Sequence, residues 1–78
     1  MPRAFEWKGW RFEFYSLDRL EPPHVHIRKD RKETKIWLKQ LTIARNKRCT
    51  EKDLNELLAV VGGNQGEFLE KWHEHFGN

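Results

Sequence analysis

A single cysteine, Cys49, occurs among the 78 residues, which excludes an intrachain disulfide and any zinc site built from several thiolates of one chain. A small packed residue beside a helix start suits it better than a reactive thiol. Long apolar runs are also missing. The longest, Leu57 to Val61, is far too short to span a bilayer. The opening segment Met1-Pro2-Arg3-Ala4-Phe5-Glu6 lacks the apolar core of a signal peptide, so a cytoplasmic protein without a membrane partner is expected. Cations are scarce in residues 49–78, which carry 2 Lys/Arg against 6 Asp/Glu, whereas residues 1–48 carry 13 against 6. The net charge of +3 therefore conceals a basic half joined to an acidic half. Such a division provides either a surface that attracts phosphates or two complementary surfaces that help the halves, or two copies of the chain, to meet.

Aromatic residues are plentiful. Four Trp and five Phe supply much of the core of a single domain over residues 1–78, a size at which a core closes with little stability to spare. With 37% hydrophobic and 35% charged residues, the composition is that of a globular chain rather than a disordered one.

The order of elements follows from periodicity. Trp10-Arg11-Phe12-Glu13-Phe14-Tyr15 alternates as a strand does, with Trp10, Phe12 and Phe14 toward the core. Ala4 to Trp7 can pair with it across a tight turn at Lys8-Gly9. Leu17 to Glu21 reads as a loop. His24 to Arg28 and Glu33 to Leu38 form the next two strands around a polar tip, Lys29-Asp30-Arg31-Lys32. With Asp30-Arg31 at the turn centre, Val25 faces Ile36 and Ile27 faces Thr34. On the other side His24 faces Trp37, His26 faces Lys35 and Arg28 faces Glu33. Residues 40–45 add a further strand or a short helical turn, with Leu41 and Ile43 inward.

Thr50-Glu51-Lys52-Asp53 fits a helix-capping pattern. Leu54, Leu57, Leu58 and Val61 then continue in phase with Phe68, Leu69, Trp72 and Phe76. A straight helix over 51–76 would be about 39 Å long, longer than such a domain is wide. A bend or break at Gly62-Gly63, or an overhang used in a homodimer, is expected, with Gly77 as the stop. The fold class is α+β: a small antiparallel meander of 3–5 strands packed against a C-terminal helix or helix pair.

The residues Trp10 to Ser16, Glu21-Pro22-Pro23-His24-Val25-His26, Lys35-Ile36-Trp37-Leu38, Ala44-Arg45-Asn46, and Phe68 to Trp72 with Phe76-Gly77 carry a resemblance. In that order they resemble the small bacterial domain-of-unknown-function family 4160, most specifically in Pro-Pro-His-x-His and the terminal Glu-Lys-Trp. The chain departs from the family's usual look in lacking glycines at the Asp30-Arg31-Lys32 tip and in the Gly62-Gly63 interruption. The resemblance implies membership of a toxin–antitoxin-like module or mobile-element cargo, with a cognate small protein partner and an RNA target.

His24 and His26 are the most informative residues, because strand positions two apart project from one face. As a metal-independent ribonuclease the chain would use them as base and acid, with Arg28 or Lys35 stabilising the developing phosphorane charge. Trp37 could stack a base, and Arg31, Lys32, Arg45, Lys47 and Arg48 could hold phosphates. The expected role, acting on or binding RNA through the basic His24/His26 face, requires a cleft beside the two histidines. A hydrogen-bond network around Trp37 is the blander account, and non-catalytic binding of nucleic acid or a partner needs fewer coincidences. Metal binding is the weaker case: two imidazoles need a third ligand, such as Glu33, and no spacing announces one. No cofactor is expected. His73 and His75 diverge by about 200° on a helix and read as polar positions, and Trp72 reads as core.

Overall fold

Lys8 and Gly9 both have positive φ, 48° and 84°, the conformation of a two-residue hairpin turn whose twist matches that of its strands. They join β1 (Arg3–Trp7) to β2 (Trp10–Glu13). The structure is a computed structural model that describes residues 3–77; the first two residues of the opening segment and residue 78 lie outside the described residues. Three more antiparallel strands, β3 (His24–Lys29), β4 (Lys32–Trp37) and β5 (Thr42–Lys47), complete a five-stranded meander in chain order.

The β3–β4 register is the one expected from a turn centred on Asp30-Arg31. His24 lies opposite Trp37, Val25 opposite Ile36, His26 opposite Lys35, Ile27 opposite Thr34 and Arg28 opposite Glu33. Asp30 takes φ 55°, a left-handed conformation that Asp tolerates because its short side chain can hydrogen-bond locally. The ends shift slightly. The Lys29–Lys32 pair closes the hairpin, and the Leu38 amide donates to the Pro23 carbonyl at 3.0 Å just beyond the strand.

Between β4 and β5 the register slips, with Lys35 opposite Arg45 but Ile36 opposite Ile43. Ala44 is thus the extra residue of a bulge, which breaks the two-residue alternation. Ile43 is kept on the core side, while Arg45 and Lys47 join the polar side. Leu41 also packs against the core, although it belongs to the preceding turn with φ 58°.

The helical half follows its cap. The Asp53 amide donates to Thr50 Oγ1, and the Thr50 amide donates to Asp53 Oδ2, each at 3.0 Å, so two amides otherwise left free at the helix start are satisfied. The glycines end a first helix, α1 (Glu51–Gly63), and a second, α2 (Gln65–Phe76), begins after Asn64. The break keeps both helices within the 33 Å length of the molecule. Gly77, at φ 75°, donates its amide to the His73 carbonyl at 2.7 Å and closes α2.

Leu57, Val61, Phe68 and Trp72 project from the helices onto the apolar side of the sheet, meeting Trp10, Phe12, Phe14, Val25, Ile27, Ile36 and Leu38 in one core. Phe68 stacks on Phe12 at 5.6 Å and meets the Phe5 ring edge-on at 5.5 Å. No described helix is long and apolar enough to cross a membrane.

Candidate functional site

The polar side of the sheet is governed by the connection between β2 and β3. Residues 14–23 are too many for a tight hairpin turn, and the segment folds back over the sheet as a 3₁₀ helix, Ser16–Leu20. Its first turn is fixed by Asp18: the Tyr15 amide donates to Asp18 Oδ2 at 2.7 Å, and the Asp18 amide returns to the Tyr15 carbonyl at 3.0 Å. The remaining carboxylate oxygen, Oδ1, then faces β3. His26 Nε2 donates to it at 3.0 Å, and His24 Nε2 lies equally close. The Tyr15 ring stacks on His26 with centroids 3.9 Å apart. His24 is wedged edge-on against Trp37 and tilted against Trp72.

This arrangement buries the pair. His24 is 1% exposed and His26 5% exposed, which corrects the picture of an open histidine face. The two described surface depressions are lined by other residues. Arg28 and Lys35 do share the histidine face, as the register requires, but each is engaged by an acid. Arg28 holds Glu13 through Nε at 3.2 Å and through its terminal nitrogen at 3.1 Å, and Lys35 pairs with Glu21. Glu33, the acid named from sequence as a third metal ligand, is instead 4.0 Å from His26 Nδ1. Asp18 is the acid that both Nε2 atoms meet. One donor atom from each of Asp18, His24 and His26 falls within 4.8 Å of the others.

Burial and pairing set the charge state of this cluster. Burial pushes the Asp18 carboxyl upward, but the Tyr15 amide, the His26 hydrogen bond and the imidazole charges outweigh it and leave the group below the usual carboxylate range. Burial pulls His26 below its ordinary value, against the opposing pull of Asp18. Tyr15 is raised by burial and then by the Glu33 charge.

A second cluster lies at the end of the sheet where the β3–β4 tip meets the end of β5. Arg28, Arg31, Lys32, Lys47 and Arg48, with Asp30 and Glu33, line a depression of about 240 Å³. Arg45 and Lys47 adjoin a second one beside Glu33 and Asn46. Lys32 is held by Asp53 at 2.8 Å, and Arg45 is 3.9 Å from Glu33. Among the described residues the side chains of Arg31, Lys47 and Arg48 form no ion pair or hydrogen bond. Trp37 is apart from them, with Lys35 Nζ over its ring at 4.8 Å. Six of the seven sheet cations named from sequence thus gather around these two depressions, and the aromatic residue named with them does not.

Sequence reasoning missed Asp18, Tyr15 and Glu13. The usable signal was the length of the β2–β3 connection: a segment that must cross a sheet face carrying two histidines brings its acids to them. Cys49 is buried, and burial raises its thiol. Asn46 brackets it, donating Nδ2–H to the Cys49 carbonyl and accepting the Cys49 amide. His73 and His75 are exposed on α2, and Trp72 is core.

A family model described as "Domain of unknown function (DUF4160)" matches residues 9–73. No curated protein and no solved structure matches the chain.

Proposed function

We propose, from the premise that this chain belongs to the DUF4160 family of domains of unknown function, that it is the RNA-binding component of a toxin–antitoxin-like two-protein module. Phosphates are held at the cationic end of its sheet. The observation that carries this reading is the set of uncompensated cations, Arg31, Lys47 and Arg48, beside Arg28 and Lys32 in one depression. Cations already neutralised by internal acids gain little from a phosphate, whereas unpaired ones release condensed counterions from the nucleic acid and gain affinity. Arg28 and Lys32 are held in place by Glu13 and Asp53 and give the depression fixed walls. Binding without cleavage is favoured over the ribonuclease reading, because His24 and His26 lie beneath the Tyr15–Leu20 segment and could reach a 2′-hydroxyl only if that segment left the sheet.

The test is fluorescence anisotropy with a labelled single-stranded RNA over a series of salt concentrations. Three phosphate contacts predict that log K falls against log salt with a slope of about −2. Replacing Arg31, Lys47 and Arg48 together by Ala should flatten the slope and weaken binding by about 10-fold or more at low salt. No binding by the wild type at low salt, or an unchanged slope in the triple variant, defeats the reading. RNA fragmented by the wild type and spared by His26→Ala would restore the ribonuclease.

A second reading rests on Leu17 and Leu20, 71% and 73% exposed on the outer side of the 3₁₀ segment. They offer a contact to the cognate small protein. Loss of co-purification with the cognate small protein on Leu17→Ser/Leu20→Ser replacement would support it, and unaltered co-purification would remove it.

A further inference from the structure

The hydrogen-bonding of the buried triad does not close on itself. His24 Nδ1 is 2.9 Å from the Pro22 carbonyl oxygen, an atom that can only accept, so the proton of that ring sits on Nδ1. Its Nε2 lies 3.0 Å from the Asp18 carboxylate without making a hydrogen bond. Two electron-rich atoms at that distance, in a 1% exposed site, repel unless a positive species lies between them. On the other ring, His26 Nε2 is directed at the same Oδ1, while its Nδ1 is buried with no partner.

We propose that Asp18 Oδ1, His24 Nε2 and His26 Nε2 form a binding site for one divalent first-row transition ion of the zinc type. Two imidazoles and a carboxylate are donors such an ion accepts, and the absence of thiolate argues against softer ions. Two of the three spacings fit. Ligands at 2.0–2.1 Å in a tetrahedral shell stand roughly 3.3 Å apart, and here both Nε2 atoms are 3.0 Å from Oδ1; the two Nε2 atoms, within 4.8 Å of each other, would draw together about the ion.

The surroundings fit as well, because ligating histidines hold their second nitrogen against an oxygen. Pro22 does this for His24, with Glu21 Oε1 a further 3.8 Å neighbour. If the ion takes His26 Nε2, the ring proton moves to the now unpartnered Nδ1, which faces Glu33 Oε2 at 4.0 Å. The ion would tie the 3₁₀ segment to β3 and leave a fourth position for water or another donor. Arg31, Lys47 and Arg48 take no part, so metal binding and RNA binding stand or fall separately.

Titrating the chelator-treated full chain with Co²⁺, followed by visible absorption and calorimetry, tests the site. The expected result is one equivalent bound with d–d bands, displaced by Zn²⁺ and not by Mg²⁺, which prefers an all-oxygen shell. Asp18→Asn, which keeps an oxygen for His26 Nε2–H, should weaken binding by about 100-fold or more. His73→Ala/His75→Ala should leave it unchanged. Imidazole ¹⁵N spectra of the wild type give a reading independent of any variant's folding: Zn²⁺ should move the Nε2 resonances of His24 and His26. Absence of stoichiometric binding at micromolar metal, displacement by Mg²⁺, or shifts confined to His73 and His75 overturns the proposal.

Discussion

The two sides of the sheet are made by the same strands and are both buried at β3, yet they are held by different physics. On one side Val25, Ile27 and Ile36 meet a layer of helix side chains. Burial there is non-directional, and many neighbours share it. On the other side His24 and His26 converge on one carboxylate, Asp18, beneath the segment of residues 14–23 and, for His24, against Trp37 and Trp72. A buried polar cluster depends on direction, so a single lost partner strands the rest. The apolar side therefore sets stability, and the polar side stakes its order on Asp18.

The largest effect expected is on the apolar side. Phe68→Ala removes a ring that touches both Phe5 and Phe12 and should cost about 3–5 kcal/mol in urea unfolding. A loss below about 1 kcal/mol would mean that the helical layer matters less than the packing indicates.

Asp18→Ala comes next. It leaves the Tyr15 amide and the His26 Nε2–H without their acceptor, a cost of about 1–3 kcal/mol. The damage should be local: amide exchange in residues 14–23 should quicken while α1 and α2 stay protected. Uniform loss of protection would erase the distinction between the two sides.

The smallest effect concerns Lys32–Asp53, which ties β4 to α1 at 2.8 Å. The Lys32 ammonium, then the Thr50 amide, hold Asp53 down from 3.8 to about 2. Because the folded value is the lower one, the unfolded chain binds more protons in that interval. The contribution is present above pH 3.8 and lost as pH falls toward 2. Lys32 is raised above 10.5, so on the alkaline side the contribution is lost as pH rises past that value. Asp53→Asn should flatten the pH dependence of the melting temperature in the acid interval, and an unchanged acid limb would show that the pair contributes nothing.

Much of the molecule was legible before its structure. The β3–β4 register followed from a turn position and a two-residue period, the α1 cap from Thr50 and Asp53, and the helix faces from spacings of three, four and seven. Each is a local rule whose partners are close in sequence or fixed by one hairpin. A bend or break at Gly62-Gly63, or an overhang, was as far as the sequence went; the structure keeps both glycines in α1 and breaks at Asn64. Three features lay beyond such rules. The Ala44 bulge changes which side Arg45 occupies, and no single-strand pattern announces it. The pairing of Arg28 with Glu13 and of Lys35 with Glu21 depends on strands and connections brought together from separate parts of the chain. The burial of His24 and His26 depends on the path of residues 14–23.

By itself, then, the sequence determined the order of elements, the division of the sheet into an apolar and a chemical side, and the placing of both histidines on the latter, because backbone periodicity and caps act over a few residues. Only the tertiary structure decided that Asp18 meets both imidazoles, that the pair is buried, and that the unpaired cations gather at the far end of the sheet. The third outcome depends on the pairing of β4 with β5, and the first two on where the connecting segment of residues 14–23 lies once the strands have paired. That path is chosen by closure over the whole sheet, not by the residues of the segment alone.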